Sequence, residues 1–328
     1  ILEVDPYSLN IRGKVDIPSE VTIDGHEYTV VMGSFINCRR MAEIKLPATI
    51  INICSFRNCE RLKSLYIPKS VVSIGIFSEG VYDPIVAGCN KLEDIIVEEG
   101  SKLFKVDGNA LLSADGKIMC GYMAGRTDKE YVIPEGVTCL VENLFEDNDK
   151  LQKITVPFGV IEIPHHCFYN AKSLQDVTLK GPVTTIRQQA FAESGITSFT
   201  IPQTVENIEN GAFFCYNLKT LTSKMVKPIN ILNDVFSKSI YDNAILYVPT
   251  GRSSYYKSTS GWNQFIHIEE KDMPDVIYGD NPFDNIQENQ MVMGYYIADS
   301  FDGVIYGWLD NLADLNTDTD YVRQRIEI

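Results

Sequence analysis

The apolar positions recur in blocks of 21–23 residues, a period too long for one helix or strand. Phe35 and Phe56 stand 21 residues apart, and Phe145, Phe168, Phe191 and Phe213 follow one another at 23, 23 and 22. Val86 takes the same slot in an interrupted unit, and Phe236 takes it in the last. Six residues after the anchor come Met41, Leu62, Leu92, Leu151 and Leu174; Ile196 and Leu218 come five after theirs. Next is a run alternating with period two, such as "EIKLP", "SLYIP", "KITVP" and "SFTIP". Alternation of this kind predicts a half-buried strand. The closing Pro47, Pro68, Pro157 and Pro202 remove a ladder donor and turn the chain. An aliphatic pair then leads to the next unit: Ile50/Ile53, Val71/Ile74, Val160/Ile163, Val183/Ile186 and Val205/Ile208.

Each block has too few apolar residues to enclose a core by itself, so the units must stack, Phe on Phe and Leu on Leu. The predicted fold is a right-handed solenoid, mostly β, with short helical or 3₁₀ turns at the Phe segments and caps at both ends. The predicted organisation is an N-terminal cap over 1–30, a solenoid over 31–271 closed by a cap near 245–271, and an acidic tail or partial second β module over 272–328. Insertions at 76–85 and 98–131 interrupt the array. In the second, "KVDGNALLSADGKIMCGY" predicts a β-hairpin turning at Asp115-Gly116. Asp24-Gly25 predicts another within the N-terminal cap. Trp262, Phe265 and Ile268 are suited to closing the far end.

Charge sharpens the tail boundary. The chain carries a net −15. Residues 272–328 hold twelve Asp or Glu against two Arg, so most of that charge lies in 57 residues. An acidic chain is a poor match for nucleic acid or anionic lipid. No apolar run is long enough for a membrane span, and no signal peptide opens the chain. The eight cysteines show no CxxC or Cys/His metal spacing and mostly flank apolar repeat positions, which suggests buried thiols, with paired disulfides as the alternative.

Candidate chemistry is sparse. No GxSxG, P-loop, Rossmann glycine pattern or HExxH motif occurs, so neither an enzyme nor a cofactor is expected. His165-His166 occupy a turn with no third metal ligand in view. In the tail, Asp314, Asn316, Asp318 and Asp320 resemble the start of a calcium loop. That loop lacks its glycine, and Arg325 replaces the closing Glu; a solvated acidic loop is the alternative. The outward strand positions carry more information: Glu43/Lys45, Ser64/Tyr66, Asp94/Ile96, Lys153/Thr155, Asp176/Thr178, Ser198/Thr200 and Thr220/Thr222. The Thr stripe reflects either β propensity or a hydroxyl-rich face for a protein or glycan.

The unit I-x-x-x-x-F-x-x-C/N-x-x-L-x-x-I-x-I-P-x-x-V-x-x-I resembles the BspA-like leucine-rich repeat family. The opening "DGHEYTV", the "DGNALLSADGKIMCGY" hairpin and the closing "LYVPTGRSSYYKSTSGW" resemble it too. The resemblance spans roughly residues 3–270. It implies a leucine-rich-repeat-type superhelix in a secreted or cell-surface bacterial protein that binds a protein or glycan, with no catalytic residues to carry over. Insertions in repeat arrays map to loops on one face, often the binding face. The expected contact residues are therefore Ser64, Tyr66, Asp94 and Ile96 on the strand face, with Tyr82, Phe104, Tyr122 and Tyr131 as exposed aromatics of the insertions. The competing readings are a passive spacer displaying a C-terminal module and an enzyme with an unrecognised site.

Overall fold

The computed structural model describes residues 11–33, 35–53, 55–74 and 85–274, with 298–299 and 303–304. The alternating runs form parallel strands, one per unit, stacked into a strand face. Arg12–Asp16, Arg40–Lys45, Ser64–Ile67 and Asp94–Val97 make the first stretch. Glu130–Val132, Lys153–Val156 and Asp176–Leu179 make the second. Ser198–Ile201, Thr220–Ser223, Ile245–Pro249 and His267–Lys271 make the third. In Ser64–Ile67 and Ser198–Ile201 every second residue is buried, so one side of the pleat enters the core. Two-residue strands at the aliphatic pairs, such as Glu162–Ile163, Thr185–Ile186 and Asn207–Ile208, form a second parallel ladder.

The Phe segments are turns. Asn37, Asn58, Asn143, Asp147, His166, Asn170, Gln189 and Glu193 have positive φ there. Short polar side chains tolerate that conformation best. The anchor rings form two stacks. Phe35 lies on Phe56 with centroids 5.1 Å apart. Phe145, Phe168, Phe191, Phe213 and Phe236 follow in one column at 5.1–5.3 Å. The Cys slot runs beside the first stack, where the thiols of Cys59 and Cys89 donate to the Phe35 and Phe56 carbonyls at 3.0 and 3.1 Å. Burial pushes Cys167 well above the ordinary thiol range, consistent with an inert packing residue. The seven described cysteines are free thiols.

At the C-terminal end Trp262 and Phe265 pack on Phe236. The Trp262 indole N–H donates to the Ile229 carbonyl at 2.8 Å, and the buried Tyr256 hydroxyl bonds Ser223 and Met225. At the other end Glu20–Ile23 and His26–Thr29 pair antiparallel about Asp24 and Gly25.

The second insertion holds the expected hairpin about Asp115-Gly116, but it has a further strand and is not a surface loop. It has three antiparallel strands: Phe104–Asp107, Ala110–Ser113 and Ile118–Tyr122. Residues 114–117 form its second turn, pinned where the Asp115 carboxylate accepts from the Ser113 hydroxyl and the Lys117 N–H. This unit lies across the solenoid axis and is not a loop on its surface. Alternation along its middle strand sends Leu111 into the core of the preceding units and Ala110 and Leu112 into the core of the following ones. Phe104 and Tyr122 are therefore buried, at 9% and 4% exposure, and Tyr131 is half-buried against Tyr122 and Phe145. The expectation that these three are exposed contact aromatics is corrected: both sides of the insert's middle strand are covered, so Phe104 and Tyr122 pack into core and Tyr131 against it. Tyr82, the rest of 76–84 and the calcium-like Asp314, Asn316, Asp318 and Asp320 lie outside the described residues.

Candidate binding face

The strand face arranges its outward side chains in two columns. One runs Lys45, Tyr66, Ile96, then Val132, Thr155, Thr178, then Thr200, Thr222, Tyr247, Glu269. The other includes Glu43, Ser64 and Asp94, then Glu130, Lys153 and Asp176. Ser64 pairs in register with Asp94, and Tyr66 with Ile96, so these four expected residues share one patch. The sequence reading missed Val132 and Tyr247, which continue the column. Their signal is the same alternation, in "EYVIP" and "ILYVP".

Three large apolar side chains of the column face solvent: Tyr66, Ile96 and Val132, at 39%, 48% and 58% exposure. Lone exposed apolar residues are ordinary, but several in one column at a break in the array are not. Tyr66 lies beside the Glu98 carboxylate, and desolvation with that negative charge raises its pKa. Glu98 in turn accepts the Lys69 backbone N–H at 3.0 Å and pairs with the Lys69 ammonium at 3.3 Å.

Arg126 fills the break on this face. It donates to the Glu93 carbonyl at 3.0 Å and to Asn109 Oδ1 at 2.8 Å, and its second terminal nitrogen is 3.9 Å from Asp94. Asn109 passes the network on to Asp128 at 2.7 Å. Beyond the break, the hydroxyls of Thr155, Thr178, Thr200 and Thr222 make no hydrogen bond to a described residue. Hydroxyls elsewhere are spent on backbone, as where Thr49, Ser70 and Thr204 donate to the carbonyls of Val30, Ile50 and Val183.

The His165 and His166 rings stack at 3.7 Å, and His166 Nε2 bonds Gln189 at 2.7 Å. Burial lowers the His165 pKa, followed by the neighbouring His166. Among the described residues no group of three or more His, Cys, Asp or Glu could hold a metal ion. Among them, too, no helix is long and apolar enough to cross a membrane.

Comparison with known proteins agrees with this architecture. The pneumococcal vaccine antigen PcpA superposes with a TM-score of 0.53 at 17% identity, covering 83% of this chain and 92% of that one. A leucine-rich repeat protein of Eubacterium ventriosum gives 0.46 at 18% identity over 72% of each chain. A leucine rich cell surface protein of Faecalibacterium prausnitzii gives 0.38 at 19% identity, covering 79% of this chain and 88% of that one. No curated protein matches the chain. The BspA type leucine-rich repeat pattern matches in six copies over residues 28–106 and 128–245, more than half the sequence. With its stacked Phe column and parallel strand face, the chain belongs to the BspA-type leucine-rich repeat family.

Proposed function

We propose that this is a non-enzymatic recognition protein of a bacterial surface, binding a partner protein through the strand face around Ser64, Tyr66, Asp94 and Ile96. The family suggests a protein-interaction role, and the solved relatives include a vaccine antigen and a cell surface protein. The observation that carries the site is the Tyr66–Ile96 pair, apolar, exposed and side by side in register. Aromatic anchors with neighbouring apolar contacts dominate interface energetics. A second reading, a glycan ligand, draws on the unpartnered hydroxyls of Thr155, Thr178, Thr200 and Thr222.

The test is a binding screen of the full chain against host-protein and glycan arrays, repeated with Tyr66→Ala and Ile96→Asp. Loss of about 2 kcal/mol or more for Tyr66→Ala, a factor of roughly thirty in Kd, is expected of an anchor. A ligand held equally by both variants would move the site to the Thr column. A spacer role predicts no ligand for 11–274 and retention of any activity by the tail alone.

A further inference from the structure

Four continuous features of the solenoid stop at one level. The strand-face ladder ends at Asp94–Val97, and among the described residues it does not pair with Glu130–Val132. The Phe stack ends at Phe56 and resumes at Phe145, with Val86 packed against Gly121 and Tyr122 tilted on Phe145 in between. The backbone bonds linking successive Phe turns run from Phe56 and Asn58 to Ile85 and Ala87, then restart from Asn143 and Phe145. Among the described residues the apolar interior is likewise two bodies, one from Val30 to Met123 and one from Ala110 to Phe265, and the insert contributes side chains to both.

Besides the insert, polar contacts cross this level. Arg57 reaches past the Val86 turn to Glu146, 89 residues on, with one terminal nitrogen 2.8 and 2.7 Å from the two carboxylate oxygens. Glu146 is 8% exposed there. The Lys150 ammonium donates to the carbonyls of Asn90, Ala124 and Gly125 at 3.2, 3.0 and 2.6 Å. Buried polar atoms without a protein partner gather at the same place: Arg57 Nε, Asn90 Oδ1, Asn143 Oδ1 and Asn148 Nδ2. Such atoms are rare and costly, so their clustering marks a weak contact.

We propose that the insert is a joint dividing the solenoid into two separately cooperative halves, and that the half-buried Arg57–Glu146 pair is the clamp coupling them. In a repeat array, stability is a sum of unit and nearest-neighbour terms. An interface that replaces the Phe column and the strand-face ladder with a differently built insert and a few polar bonds is where cooperativity parts. The candidate face spans the joint, from Tyr66 and Ile96 on one half to Val132 and Thr155 on the other. A partner seated across it opposes their separation.

Hydrogen exchange of the full chain in graded urea tests this. Amides of 35–74 and 85–97 should share one unfolding midpoint, and those of 133–265 another. Arg57→Met and Glu146→Gln should each lower protection of one half by about tenfold and leave the other within about twofold, widening the gap. Arg187→Met serves as control. It removes pairs with Glu162 and Glu209, both at 2.8 Å, inside one half and should not affect the other. One common midpoint in the wild-type chain overturns the joint. Two midpoints whose separation neither Arg57→Met nor Glu146→Gln changes overturn the clamp.

Discussion

Phe168 lies between Phe145 and Phe191, fully buried, so its ring is covered on both faces by neighbouring units. Replacing it with alanine removes transfer energy and leaves a cavity that the column cannot close from either side. Phe168→Ala should therefore cost about 3–5 kcal/mol in urea unfolding, and a loss below about 1 kcal/mol would contradict the stack. At the surface, Glu270 offers a pH prediction. The nearby Gly251 and Ser253 backbone N–H groups, the latter donating to its carboxylate at 3.0 Å, hold its pKa at about 2 against the ordinary 4.5. The folded value is the lower one. Its stabilising contribution is thus present above about pH 4.5 and lost as pH falls through about 2. Titration of the Glu270 carboxyl by NMR should give that depressed value, and a midpoint near 4.5 would refute the bonds.

Among the elements, the insert shows how close packing fixes a sequence position. A side chain on Gly125 would place its Cβ 2.4 Å from the Lys91 backbone, while the Gly125 N–H bonds the Leu92 carbonyl at 2.7 Å. The neighbour is main chain and cannot swing away. Gly125→Ala should destabilise the protein by about 1–3 kcal/mol, read as a lower Tm, whereas an unchanged melt would mean that the segment sits farther from the preceding unit. The same element shows the limit of reading strands from sequence. Alternation in "ALLSADGKIMCGY" marks strands correctly, but it is equally consistent with one covered side or two. Phe104 and Tyr122 look like contact aromatics until the second side is seen to be covered.

For the whole molecule, the tail boundary is a matter of where packing stops. Met273 is buried beside Val226, with Tyr247 against them, so the closed end of the solenoid extends past Glu270. A chain ending at Pro274 should melt within a few degrees of the full chain, whereas one ending at Glu270 should melt lower because it loses the Met273 contact. Equal melts for both would show that Met273 contributes nothing. The repeat, its core slots, its strands and its outward columns were legible in the sequence. In a stack each residue's chief neighbours are its counterparts one unit away, so the period of the chain is also the map of its contacts. The proposed patch was legible in half: Ser64, Tyr66, Asp94 and Ile96 follow from alternation alone. Only the tertiary structure decided that the insert is interior and that Arg57 meets Glu146. Those contacts join segments with no shared period, and burial there depends on which surfaces two halves of the chain bring to the same place.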